Sequence, residues 1–349
     1  MIKTVSVIQD EFTQIASTAF DYSFDGTSMF KCWDKPNVPD EFNIGVIVGA
    51  SGTGKSTLLK EFGNEENPQW NENKAIVSHF NTPEDAVDKL TAVGLNSIPS
   101  WCRPYHVLST GEKFRADLAR KLKDNSVIDE FTSVVDRNVA KAASTALSKY
   151  IRNNNIRNII LATCHEDILE WLEPDWVFNT NNGELLVGRC LQRPRIIIEI
   201  YPCKRNIWAM FKNYHYLRDD LNKSSRCFIA VWDSNIVGFA SSIAMPCGTV
   251  KNAWREHRTV ILPDYQGMGI GTQLSDTIAQ IHINEGKRYF SRTAHPRMGE
   301  HRDNVLLWKK TSKHKKLRTD AKNVKQIYNK YYVDTNRVCY SHEYIGEII

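Results

Sequence analysis

The 349-residue chain lacks any apolar run approaching the ~20 residues that cross a bilayer as a helix, which excludes an integral helical membrane protein. Its opening stretch, MIKTVSVIQDEFTQ, mixes polar and charged residues and has no apolar core of the secretory-leader kind. Eight cysteines (Cys32, Cys102, Cys164, Cys190, Cys203, Cys227, Cys247 and Cys339) are scattered without a C-x-x-C pair. That spacing argues against a disulfide frame or a zinc ribbon and is expected of free thiols in a reducing cytoplasm. Overall charge excess is also small, +5. What is present is length for two domains, and a hydrophobic content of 42% that lets each bury a core.

The small net charge conceals a split. Residues 1–189 hold 19 Lys and Arg against 26 Asp and Glu, and residues 190–349 hold 26 against 14. Balances of −7 and +12 point to two modules with different partners, the second favouring a polyanion. The densest basic stretch, KKTSKHKKLRTDAKNVKQIYNKYY at 309–332, carries nine Lys and Arg, one Asp and three tyrosines. A solvated lysine-rich surface would look the same.

In the first half, IGVIV (44–48) reads as a buried parallel strand. GASGTGKST (49–57) follows at once and matches G-x-x-x-x-G-K-[ST] at every fixed position. Gly49, Ser51, Gly52 and Gly54 allow the backbone to wrap round phosphates, Lys55 reaches the outer two, the Ser56 hydroxyl suits Mg²⁺, and Thr57 begins the helix behind. Nucleotide binding, with ATP and Mg²⁺, is the expectation.

Three later stretches, in order, carry a resemblance. LSTGEKFRADLARKL (108–122) is similar to the signature loop and helix of ABC-type ATPases, with Ser109 and Gly111 at the key places. SVIDEFTSVVD (126–136) resembles their Walker B strand and D-loop, and NIILATCHED (158–167) their last core strand and switch histidine. The resemblance covers residues 15–188 and implies that Asp129 holds Mg²⁺ with Ser56, that Glu130 polarises the attacking water, that Asp136 closes the D-loop and that His165 meets the γ-phosphate. It further implies a homodimer in which the signature loop of one subunit completes the ATP site of the other. Only about fifty residues separate Lys55 from Ser109, so the helical subdomain is cut down. No glutamine occupies the Q-loop place, where His79 is the nearest stand-in, and Tyr22, Phe24 and Phe30 compete as the adenine-stacking aromatic. Without membrane segments, the soluble branch of the family fits better than a transporter.

The second half reads differently. After Pro194, RIIIEI (195–200) opens a β-rich pattern, and RCFIAVWDSNIVGFASSIA (226–244) reads as two strands round a DSN turn. EHRTVILP (256–263) is a strand running into a glycine turn and a helix whose Leu274, Ile278 and Ile281 recur at helical spacing. The turn is Gln266-Gly267-Met268-Gly269-Ile270-Gly271. A dinucleotide fold is the rival reading, but the glycine spacing differs from G-x-G-x-x-G and no βαβ partner follows.

This turn resembles the Q/R-x-x-G-x-G/A motif of the GCN5-related N-acetyltransferase (GNAT) superfamily, in which successive backbone N–H groups grip the pyrophosphate of acetyl-CoA. With IWAMFKNYHYL (207–217) and RTAHP (292–296), the chain is similar over nearly its full length to ABC-type ATPases fused to a GNAT acetyltransferase. The implied fold class is α/β: a P-loop ATPase domain over 1–189, then a mixed α+β acyltransferase domain over 190–349. Val260 to Leu262 stand where that family supplies a backbone donor to the acyl oxygen. Candidates for the base are His215, Tyr216 and His295, with Glu256 and His257 nearby, and candidates for the acid are Tyr328, Tyr331 and Tyr332. The expected activity is an ATP-assisted acyltransferase using acetyl-CoA or another acyl-CoA, acting on a nucleic acid or nucleobase. The alternatives are a protein or small-molecule amine as acceptor with ATP-gated dimerisation, or a non-enzymatic CoA and ATP sensor.

Overall fold

The computed structural model describes residues 2–189, 191–215, 221–246, 248, 250–317 and 338–346. They form two compact units, Met1–Gly94 with Cys102–Pro194, and Leu95–Trp101 with Arg195–Ile349. Helices along the described residues are α1 (Glu11–Ala19), α2 (Lys55–Leu59), α3 (Pro83–Ala92), α4 (Ile98–Trp101), α5 (Thr110–Lys121), α6 (Arg137–Asn153), α7 (Leu169–Leu172), α8 (Ile270–Asn284) and α9 (Pro296–Asn304). No helix among them is long and apolar enough to cross a membrane.

The first unit opens with an antiparallel ribbon of β1 (Ile2–Ser6) and β2 (Thr27–Lys31), both exposed throughout. Its main sheet has the order β4-β5-β3-β6-β7, with β3 (Ile44–Val48), β4 (Val127–Ile128), β5 (Ile159–Thr163), β6 (Trp176–Asn179) and β7 (Glu184–Val187). All pairings are parallel except the β6–β7 hairpin. Every residue of β3 and of β5 is buried, as expected for strands covered on both faces, which explains why they read as unbroken apolar runs. Gly45 is a packing requirement: a Cβ there would lie 2.1 Å from the Trp176 indole at the centre of the apolar core. The parallel register sets Val48 beside Thr163 and Ile128 beside Leu161, so the phosphate loop, Asp129 and His165 all follow the same edge of the sheet. That edge, outside the carboxyl ends of parallel strands, is where α/β folds bind ligands.

The second unit is one twisted sheet ordered β13-β15-β12-β11-β10-β9-β8, with β14 paired to β15. Its strands are β8 (Glu199–Cys203), β9 (Arg226–Trp232), β10 (Asn235–Ala244), β11 (Ala253–Ile261), β12 (Arg288–Thr293), β13 (Trp308–Lys310), β14 (Lys316–Leu317) and β15 (Val338–Tyr344). The strand expected from 195 begins only at Glu199, where the ladder to β9 starts. The DSN turn is a two-residue turn, because Asn235 already pairs with Trp232 while Asp233 and Ser234 take left-handed φ of 49° and 62°. The strand expected from 256 starts three residues earlier, at Ala253.

One departure from a regular sheet matters most. β11 and β12 are parallel and joined by α8, yet they pair only at Ala253–Arg288, Trp254–Tyr289 and Arg255–Phe290. Beyond that point both strands continue without a shared ladder, β11 to Ile261 and β12 to Thr293. Two features lie where pairing ends. His257 is an extra, unopposed residue, since Ser241 pairs with Arg258 and Ser242 with Glu256, and such a bulge bends its strand. Glu256 is tied to Arg302 at 2.9 Å and to the hydroxyls of Ser291 (2.5 Å), Thr259 (2.7 Å) and Ser275 (3.1 Å). This nearly buried polar knot joins β11, β12, α8 and α9 just past the last paired residues.

Candidate functional site

Both sites are built on the same local device, a strand, a glycine turn and a helix whose N-terminus is left uncapped. Helices α1, α3, α5 and α6 carry side-chain caps from Asp10, Thr82, Ser109 and Asp136. α2 and α8 have none; each is preceded by a left-handed glycine, Gly54 (φ 91°, ψ 14°) and Gly269 (φ 91°, ψ 2°). Their first N–H groups stay available to an anion, and a Cβ at either glycine would be strained.

In the first unit the loop from Gly49 to Gly54 is braced from outside. Asn181 Oδ1 accepts from the Ala50 N–H at 2.9 Å, and the Thr53 and Thr180 hydroxyls bond at 2.6 Å. A Cβ at Gly49 would meet Thr180 Oγ1 at 2.1 Å. Lys55 Nζ lies across the loop, donating to the carbonyls of Gly49 (2.8 Å) and Ala50 (2.7 Å). Ser51, Gly52 and Ser56 are exposed there, with Thr57 behind them partly covered. Of the three aromatics, Phe30 packs on this loop, its ring edge 3.1 Å from where a Gly54 Cβ would stand. The donor set of uncapped N–H groups, ammonium and hydroxyl fits a triphosphate.

Around it, Asp129 Oδ1 accepts from the Glu130 N–H at 2.8 Å, and Glu130 is exposed with a left-handed φ of 48°. Thr132, fully buried, also has a left-handed φ of 69°. Such strain in a β-branched residue is uncommon and clusters at functional positions. Its hydroxyl is 3.1 Å from His165 Nδ1. Burial holds the His165 imidazole below its ordinary range, with Arg137 adding to this and Asp167 opposing it, so the ring is neutral near pH 7.

Ser109 caps α5 in a reciprocal box with Glu112, and Gly111 follows in the first turn against Val139. Asp136 caps α6 through the N–H groups of Asn138 and Val139. His79 is occupied locally: Nδ1 bonds Ala75 O at 3.0 Å and Nε2 accepts from the Asn71 N–H at 3.0 Å. It is therefore a turn-stabilising residue in this fold.

In the second unit Gly267 (φ 89°) and Gly269 turn the chain through left-handed backbone, while Met268 and Ile270 anchor the turn by burying their side chains. Gly271 lets α8 approach β11, its Cβ place 3.4 Å from Ile261. Gln266 closes the base of the turn, donating through Nε2 to Ile261 O at 2.9 Å and accepting at Oε1 from the Asn96 N–H at 3.1 Å. Two left-handed glycines and an uncapped helix fit the pyrophosphate of a CoA.

Among Val260 to Leu262 the structure singles out one backbone donor. The Leu262 N–H is spent on Val237 O at 2.9 Å, so Leu262 is not the free donor expected of it. Antiparallel alternation then directs the Val260 N–H to β10 as well and the Ile261 N–H to the opposite edge, toward the unpaired stretch of β12.

The candidate bases fare unequally. His215 packs edge-on against Trp208, which belongs to one apolar cluster with Phe211, Phe239 and Val260, flanked by Leu262. His295 follows β12 and precedes α9; its Nδ1 is buried without a hydrogen bond, and burial, then Arg297, lowers its pKa. His257 accepts from the Asn222 N–H at 3.3 Å and is pushed down to about 4, first by burial and then by Arg258 and Arg255. Glu256 is committed to Arg302: burial alone would raise it, but the guanidinium and hydroxyls hold it below the usual carboxylate range. It is a structural ion pair and not a base. Tyr216, Tyr328, Tyr331 and Tyr332 lie outside the described residues.

Asp303, His314 and His342 also converge, their donor atoms within 4.8 Å of one another. Sequence spacing gave no hint of them, because they come from three separate elements. Within the protein they form a polar cluster. Asp303 already meets Lys315 Nζ at 3.2 Å and Lys310 Nζ at 3.7 Å, and His314 Nδ1 accepts from the Ser341 N–H at 3.3 Å, which leaves the proton on the Nε2 that faces Asp303.

No curated protein matches the chain. Among solved structures, a dimeric ATP-binding cassette bound to ADP and phosphate is 13% identical over 56% of this chain and 97% of its own, with a TM-score of 0.36. An ABC transporter component from Clostridium perfringens is 21% identical over 42% and 76%, with a TM-score of 0.32. A GNAT family acetyltransferase from Elizabethkingia anophelis with acetyl-CoA bound is 15% identical over 42% and 94%, with a TM-score of 0.30. The stretch that holds the splayed strands, the glycine turn and α8, residues 194–302, matches the family model of the acetyltransferase (GNAT) family, and this part of the chain is a GNAT domain.

Proposed function

We propose that the chain is an acyl-CoA-dependent acyltransferase that carries its own Mg-ATP-binding and hydrolysing unit and acts on an amine of a nucleic acid or nucleobase. The observation that carries the transferase reading is the wedge between β11 and β12, opening beside the uncapped, glycine-led start of α8. The acyl-CoA supplies an activated carbonyl. Gly267 to Gly271 hold its phosphates, the Ile261 N–H steadies the carbonyl oxygen as charge builds on it, and His215 takes the proton lost by the attacking amine. The amine nitrogen gains the acyl group as the carbon–sulfur bond breaks, and CoA leaves as the thiol.

In the first unit Gly49 to Ser56 and Asp129 hold Mg-ATP, Glu130 orients the water and His165 contacts the outer phosphate. Ser109 and Gly111 serve a second copy of the chain in a head-to-tail dimer. The polyanionic acceptor is supported by the +12 balance of residues 190–349 and by exposed Lys309, Lys310, Lys313 and Lys315. The six described cysteines outside disulfides suit the cytoplasm.

The test is incubation of labelled acetyl-CoA and ATP with cell extract, followed by separation of DNA, RNA, protein and metabolites. Nuclease-sensitive label that disappears in Gly269→Glu supports the proposal. Label that survives nuclease moves the acceptor to a protein or small amine. CoA binding without label in any fraction leaves a sensor.

A further inference from the structure

Within the first unit, Thr132 has a conformation that demands a reason. It is fully buried, β-branched and held at a left-handed φ of 69°, where glycine would sit without cost. The chain is fixed on both sides of it. The Phe131 N–H donates to Ala162 O in β5 at 2.8 Å, and the Val135 N–H returns to Thr132 O at 3.5 Å. β5 leads directly to His165, whose own N–H donates to Thr163 Oγ1 at 3.1 Å. Thr132 and His165, thirty-three residues apart, are thereby brought together. The Thr132 hydroxyl lies between two groups, Phe131 O at 2.6 Å and His165 Nδ1 at 3.1 Å.

A hydroxyl has one hydrogen to give. Two oxygens 2.6 Å apart repel unless a hydrogen lies between them, so that hydrogen is committed to Phe131 O. Toward His165 the Thr132 oxygen can then only accept, and Nδ1 must carry a proton. Because the ring is neutral near pH 7, Nε2 is left with a bare lone pair. That is the wrong state for meeting a phosphate oxygen, since two acceptors would face each other. The charged groups that act on the ring are Arg137 from α6 and Asp167 just beyond His165, bonded to each other at 2.9 Å. Arg137 opposes a second proton and Asp167 favours it. An outer phosphate would add the negative charge that tips this balance.

We propose that Thr132 is a positioning residue that holds His165 as the Nδ1–H tautomer, so that ATP binds together with a proton taken up at Nε2. This rests on His165 meeting the outer phosphate of ATP. The proton comes from solvent, and the imidazole becomes an imidazolium. Its new N–H donates to a phosphate oxygen while the Nδ1–H stays on Thr132. ADP lacks the outer phosphate and needs no proton. By linkage, affinity for ATP falls as pH rises above neutrality, by up to about tenfold per pH unit, and affinity for ADP shows no such slope.

The experiment is calorimetric titration of Mg-ATP into the full chain carrying Glu130→Gln, in buffers of different ionisation enthalpy, whose effect on the heat gives the protons taken up per nucleotide. At about pH 7.5, about one proton per ATP and about none per ADP is expected. Thr132→Val keeps the branched shape and removes the oxygen. Nδ1 then has no acceptor, the proton moves to Nε2, and uptake on ATP binding is expected to fall to about zero with ATP still bound. Should that variant fail to fold, nitrogen NMR of the histidine-labelled parent reads the tautomer directly. The expected spectrum shows His165 as Nδ1–H in the free protein and protonated at both nitrogens with ATP. An Nε2–H tautomer in the free protein, no proton uptake, or uptake unchanged in Thr132→Val overturns the inference and leaves ATP binding standing. If ATP fails to bind under every condition, the nucleotide reading itself is what has failed.

Discussion

Replacing Gly269 by Ala puts the cradle geometry to a quantitative test. At φ 91° and ψ 2° the residue preceding α8 sits in left-handed backbone, where a Cβ costs about 1–2 kcal/mol. That cost has two places to surface. If the loop relaxes to a right-handed conformation in the free protein, restoring the cradle on binding raises the CoA dissociation constant about 5- to 30-fold. If neighbouring packing holds the loop, since Met268 and Ile270 are both buried, the same cost surfaces in unfolding as a lower melting temperature. Calorimetry with CoA and thermal unfolding of the same preparation read both terms. Gly54→Ala is the matched control: it has the same φ and additional crowding from Phe30 at 3.1 Å, and is expected to weaken ATP while leaving CoA affinity unchanged. A Gly269→Ala protein that binds CoA within twofold of the parent and melts at the same temperature would refute the argument that this turn must be left-handed to hold a ligand.

Three further outcomes follow from the described geometry. Glu130→Gln should bind ATP normally and hydrolyse it ~10²- to 10⁴-fold more slowly, as measured by phosphate release, because an amide cannot take the water's proton. Arg302→Met should destabilise the second unit by about 3–5 kcal/mol in denaturant titration by leaving Glu256 charged and unpaired, and adding Glu256→Gln should recover part of that loss. His257, pushed down to about 4, binds fewer protons folded than unfolded between about pH 6.5 and 4, so stability falls as pH drops through that window. His257→Gln should flatten that fall in melting curves recorded from pH 7 to 4.

The local structure round each candidate site was legible in sequence because it is a local device. Strand, glycine turn and helix start are contiguous at 44–59 and again at 256–284, and the chemistry of a phosphate cradle needs only neighbouring N–H groups. The capping role of Ser109 was not read from sequence, although the signal, Glu112 three residues on, is local. Errors arose where distant segments decide. Leu262 follows β11 directly, yet its N–H is taken by Val237, a partner visible only once β10 is paired. Glu256, named in sequence beside the candidate bases, is paired with Arg302, forty-six residues away. Which of Tyr22, Phe24 and Phe30 packs nearest Gly54 is likewise set by tertiary placement, and it is Phe30.

The sequence alone determined that the chain carries two strand–glycine turn–helix segments, since residue order sets the local turns. Tertiary structure alone decided where the sheet opens, which N–H faces the opening, and that Leu95–Trp101 joins the second unit. Those features depend on ladder pairing and burial between segments far apart in the chain, and no short window of residues encodes them.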